Sequence, residues 1–62
     1  MPIITVDILH GRTPEQRRVF AEDVTAAAVR DLGADRERVI IRFQEHGPFD
    51  VATAGRFRDD QA

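Results

Sequence analysis

Sixty-two residues make one small domain, 1–62, and a chain this short buries only about 60% of the surface its unfolded form exposes. With no cysteine and only two histidines, His10 and His46, disulfides and thiolate metal sites are excluded and the histidines are too few for a metal cage, so self-association is the expected source of stability and no metal is expected. Nine basic against eleven acidic residues lack the excess of a nucleic-acid binder, and no apolar run approaches the ~20 residues that span a bilayer.

All nine basic residues are arginine. Codon bias in a GC-rich genome accounts for most of them, while two or three are candidates for binding anions, since the planar guanidinium fork matches a carboxylate. The first eleven residues, MPIITVDILHG, lack a basic region and a small-residue cleavage pattern, so no signal peptide is expected and a cytoplasmic location is the default.

Pro2 to Leu9 is rich in β-branched residues and predicts a strand. Ile4, Val6 and Ile8 share one face, and Ile3, Thr5, Asp7 and Leu9 share the other. Both faces are largely apolar, as in a strand covered on both sides, and another subunit is the expected second cover. Gly11-Arg12 is a turn. Thr13 then reads as a helix N-cap, with Pro14 first in the helix and Gln16 completing a capping box. The helix is expected to run to Leu32, with Phe20, Val24, Ala27, Ala28 and Leu32 as its apolar stripe and Gly33 as its stop. After a polar link, Arg38 to Gln44 predicts a second strand, with Val39, Ile41 and Phe43 on one face and Arg38, Ile40, Arg42 and Gln44 on the other. Strand, helix and strand with short links form an α/β unit of βαβ type, with parallel strands and a right-handed crossover. A two-stranded sheet cannot support itself, which again calls for a partner. His46-Gly47-Pro48 signals a turn, Phe49 to Arg58 an extended or hairpin segment, and the polar end of the chain a frayed tail.

Several of these features together resemble the 4-oxalocrotonate tautomerase family. They are the Met-Pro start, a strand closing in Leu9-x-Gly11-Arg12, the Thr13-Pro14-Glu15-Gln16 helix opening, Leu32, and Val39-Ile40-Ile41. The resemblance covers residues 2 to about 45 and fades beyond. It implies removal of Met1, which leaves Pro2 with a free secondary amine as the catalytic group. It implies βαβ units paired into dimers with a four-stranded sheet backed by two helices, and a hexamer of three dimers. It also implies small carboxylate substrates with an enol, keto or unsaturated group, and an isomerase that needs no cofactor.

The residues themselves support part of this chemistry. An N-terminal amine titrates near pH 8, and an apolar pocket with a nearby arginine would lower that value toward neutrality. Such a base suits proton transfer on a keto acid. The plain alternative for Pro2 is a strand start, where proline is tolerated. Arg12 lies beside the helix N-terminus, a corner suited to anions, and the resemblance implies that it binds a substrate carboxylate across a subunit boundary. The alternative is an exposed loop arginine paired with a neighbouring acid.

Family members acting on dicarboxylates often carry an arginine just before the Val-Ile-Ile-like run, and counting from Leu32 without gaps puts that position on Ile40. Arg38 and Arg42 flank that position, and Arg42, deeper in the strand, is the candidate second substrate-binding cation, with an inter-subunit ion pair as its alternative. Phe49 is the candidate for an aromatic wall, with ordinary packing as its alternative. Arg56, in a segment that departs from the family pattern, is a possible extra anion ligand. His10 and His46 read as exposed turn residues. Two other outcomes stay open at this point. One is a dehalogenase, hydratase or decarboxylase on the same fold, where Asp7 or Glu45 would have to activate water. The other is a non-catalytic subunit of a hetero-oligomer.

Overall fold

The structure, a computed structural model, describes residues 1–57, so Arg58, the end of the expected hairpin segment, and the tail beginning at Asp59 lie outside the described residues. Strand β1 (Ile3–Leu9), helix α1 (Pro14–Leu32) and strand β2 (Ile40–His46) carry the fold. The two strands pair in parallel, from Ile3 opposite Ile40 to Leu9 opposite His46. With α1 as the crossover, this is the expected βαβ unit.

The helix begins and ends for local reasons. Thr13 Oγ1 accepts from the Gln16 N–H (3.1 Å), and Gln16 Oε1 accepts from the Thr13 N–H (2.9 Å). These two bonds satisfy backbone donors at the helix start that have no intrahelical partner. At the other end Gly33 adopts φ 67°, the left-handed stop that glycine takes without a Cβ penalty. In the last turn Arg30 donates two hydrogen bonds to Asp31 (2.8 and 2.9 Å), which hold the Asp31 carboxyl below its ordinary pKa.

The link before β2 departs from expectation. Asp35 Oδ1 accepts from the Glu37 N–H (3.2 Å), while the Arg38 and Val39 N–H groups donate to the carbonyls of Asp35 (2.8 Å) and Arg36 (3.3 Å). These bonds wind Arg36–Arg38 into a 3₁₀ turn, so β2 begins at Ile40 rather than Arg38. Arg38 therefore does not share a strand face with Arg42. At its far end β2 continues past Gln44 to His46, whose carbonyl accepts from the His10 N–H (2.8 Å). His46 is thus a strand residue hydrogen-bonded to Asp7, not an exposed turn residue. The turn follows it, closed by the Gly47 N–H donating to the Asp50 carboxylate (2.7 Å).

Beyond this turn the chain forms a hairpin of β3 (Ala52–Thr53) and β4 (Arg56–Phe57). Ala54 and Gly55 both have positive φ, 54° and 76°, the geometry of a type I′ turn. Phe49 packs edge-on against Phe57, with ring centroids 5.3 Å apart, and ties the hairpin's entry to its exit.

One face of the sheet, with Ile4, Val6, Ile8, Ile41 and Phe43, is partly covered by α1. Ala21, Val24, Thr25, Ala27 and Ala28 are the apolar and small helix residues turned inward, and Ala28, 4% exposed, is the only buried residue among those described. The expected stripe therefore holds at Val24, Ala27 and Ala28 and fails at its two ends. Phe20 leans on Phe43 at the rim (centroids 6.3 Å apart), and Leu32 stays 70% exposed. Two strands about 5 Å apart are narrower than the stripe they would have to cover.

The opposite face, with Ile3, Thr5, Asp7, Ile40, Arg42 and Gln44, is exposed, and Ile3 is 58% exposed. The radius of gyration is 14.7 Å, against about 11 Å for a compact chain of this length. So open a structure should self-associate. Light scattering at micromolar concentration should give a mass well above that of one chain, and a stable folded monomer would contradict this expectation.

Candidate active site

Pro2 sits half-buried at the entrance to β1, and its carbonyl accepts the Ile40 N–H (3.0 Å), the bond that opens the parallel ladder. It lines a cavity of about 410 Å³. The other walls come from Met1 and from the end of α1 and the link after it: Leu32, Gly33, Ala34, Asp35 and Arg38. Leu32 and Ala34 give the cavity an apolar side. Asp35 and Arg38 give it a charged rim, with Asp35 Oδ2 3.7 Å from Arg38 Nε.

Arg12 lies at the opposite end of β1. Seven strand residues at about 3.3 Å each separate it from Pro2 by more than 20 Å. Gly11 sets its place by turning the chain at φ 112°, a conformation open to glycine and strained for any other residue. The Arg12 guanidinium has no ion-pair partner among the described residues. It borders a groove of about 280 Å³ walled by Val6, Ile8, Phe20 and Phe43. Arg17 in the same groove is already engaged, ion-paired to Glu45 and stacked over the Phe43 ring at 5.4 Å. An unpaired cation at the rim of an apolar groove is chemically suited to a carboxylate on an apolar body.

Arg42 projects from the sheet face that α1 leaves open, opposite Thr5 in register. It too has no ion-pair partner among the described residues. Phe49 is 63% exposed at the base of the hairpin, and Arg56 is exposed on β4. One chain therefore does not bring Pro2, Arg12, Arg42 and Phe49 together, and any site built from all four draws on more than one copy. Glu45 is held by Arg17 and Asp7 by His46. Among the described residues no group of three or more potential ligands is placed to hold a metal, and no helix is long and apolar enough to cross a membrane.

The presence of Asp35 and Arg38 beside Pro2 was not legible in the strand pattern. The available signal was an Asp followed three residues later by a basic residue, which is compatible with a capped turn.

Comparison with known proteins follows the same lines. The family described as "Tautomerase enzyme" matches residues 2–59. A probable tautomerase of Bacillus cereus is 38% identical over 61 residues, covering 98% of this chain and 100% of that one. The 2-hydroxymuconate tautomerase of Bacillus subtilis is also 38% identical, over 60 residues and 97% of each chain. Among solved structures, a 4-oxalocrotonate tautomerase isozyme of Methylibium petroleiphilum superimposes with a TM-score of 0.89 at 35% identity, covering 97% of this chain and 94% of that one. With its βαβ unit, its proline at the mouth of a cavity and a family match over nearly its whole length, the chain belongs to the tautomerase family.

Proposed function

We propose that the chain is a cofactor-independent isomerase that moves a proton within small 2-hydroxy or 2-oxo unsaturated carboxylates. The observation that carries this reading is Pro2 at the edge of an open, partly apolar cavity, where removal of Met1 would leave a secondary amine. The name of the Bacillus subtilis relative supports the substrate class.

In this reading the Pro2 amine, unprotonated, takes a proton from the substrate, and the electron pair moves along the conjugated system onto an enolate oxygen. The same amine then returns the proton at the vinylogous carbon, so that nothing is gained or lost overall. Arg12 of another copy holds the carboxylate, Arg42 offsets the developing enolate charge, and Phe49 contributes an apolar wall. The assembly is a homo-oligomer of βαβ dimers with four-stranded sheets, arranged as a hexamer. Water-activating chemistry is less well supported, because Asp7 and Glu45 are each held by a neighbouring side chain.

The test is turnover of 2-hydroxymuconate and of enolised phenylpyruvate in D₂O. The isomerised product should carry deuterium at the newly protonated carbon. If neither acid reacts faster than in buffer, the reading fails.

A further inference from the structure

Two guanidiniums line the groove between α1 and the sheet, yet only that of Arg12 lacks an ion-pair partner among the described residues, because Arg17 is paired with Glu45. We propose that Arg17 is a positioning residue: by holding Glu45 it keeps that carboxylate off Arg12 and leaves Arg12 open to the substrate. The proposal rests on the reading of Arg12 given above.

Glu45 is placed to interfere. It stands opposite Ile8 in the parallel register, and Ile8 is a wall of the groove. Strand β1 ends one residue later at Leu9, and the chain turns through Gly11 directly into Arg12. Arg12 and Glu45 therefore occupy the same end of the sheet. The other nearby acids are engaged elsewhere. Asp7 lies on the open sheet face, bonded to His46, and Glu15 in the first turn of α1 is bonded to Arg18.

Arg17 is well placed to hold Glu45. Its side chain is 28% exposed, against values between 51% and 70% for Arg18, Arg30, Arg36 and Arg38, the other arginines beside an acid. Its guanidinium also lies over the Phe43 ring, 5.4 Å from the centroid, a contact that favours this position of the fork. With less water around it, the pair is screened less than the surface pairs and exchanges less readily. Without the Arg17 charge, Glu45 becomes a half-covered carboxylate near a free guanidinium, and the two attract. A substrate carboxylate would then have to displace Glu45 from Arg12.

A double-mutant cycle with 2-hydroxymuconate tests this, with light scattering to verify assembly of each variant. Arg17→Gln should raise KM ~10-fold while kcat falls no more than ~3-fold, because Arg12 is masked and not removed. Adding Glu45→Gln to Arg17→Gln should return KM to within ~3-fold of that of the unaltered chain, since the masking charge is gone. Arg17→Lys keeps the charge and should recover most of the binding. If the pair only braces the fold, the double variant is no better than Arg17→Gln, and that result would overturn the proposal. Should Arg17→Gln fail to assemble, Glu45→Gln alone decides. With Glu45 neutral the groove gains positive charge, so KM should fall ~3-fold at low salt and less at high salt. A raised KM in that variant would equally overturn the proposal. Arg12→Ala separates the two levels. If it leaves KM unchanged, the carboxylate role of Arg12 falls, and the role of Arg17 with it. If it raises KM while Arg17→Gln and the double variant match each other, only the role of Arg17 falls.

Discussion

A chain that keeps Met1 ahead of Pro2 should lose about 10³-fold in kcat/KM, the contribution expected of a positioned general base. Retention turns the Pro2 nitrogen from an amine into an amide, which cannot take up a proton near neutral pH. Inserting a bulky residue after Met1 would enforce it, and intact mass would verify the chain before assay. The pH dependence follows from the same atom. The base is active when unprotonated, so activity should fall as pH drops through its pKa. An unchanged rate in the Met1-retaining chain would exclude Pro2 as the base.

The second large effect separates Arg12 from Arg42. Arg12→Ala should mainly raise KM, because a carboxylate contact present in both ground and transition states is lost. Arg42→Ala should lower kcat more than it raises KM, because its contact strengthens as enolate charge develops. Loss of one such donor costs about 3 kcal/mol, or roughly 100-fold. Light scattering on each variant is part of the measurement, since Arg42 emerges from the uncovered sheet face and its loss could act through assembly. If Arg42→Ala stays assembled and fully active, it has no part in the reaction.

Most of the fold was legible because its signals are local. Thr13, Pro14, Gln16 and Gly33 mark the helix ends through bonds that span no more than a turn or two, and the β-branched run from Ile3 to Ile8 needs no partner to be recognised. The start of β2 was hidden. Residues 38–44 read as one continuous strand, and only the Asp35 side chain, by capping a turn, withdraws Arg38 from it. The helix stripe was misjudged for a different reason. Helical periodicity identifies which residues share a face, but the width of a two-stranded sheet decides how many of them are covered.

The proposed site is readable in the sequence as a set of residue types and not as an arrangement. Pro2 and Arg12 are conspicuous by their positions in the sequence, yet they stand at opposite ends of one strand, and a site that uses both would need more than one copy. Arg38 and Asp35 gain their interest only from the cavity they share with Pro2. No periodicity in the sequence joins residue 2 to residues 35 and 38.

Among the described residues Ala28 stands alone as a buried side chain, and this bears on how the protein is maintained. With so little interior of its own, a single copy has few contacts to offset the entropy of ordering its backbone. Folding and assembly then form one equilibrium governed by mass action, and thermal resistance rises with the amount of chain present. Newly made chains pass through a dilute interval in which they are open to proteases, and they leave it only when they meet each other. If the proposed site is shared between copies, it has the same dependence, and dilution would dismantle it together with the fold.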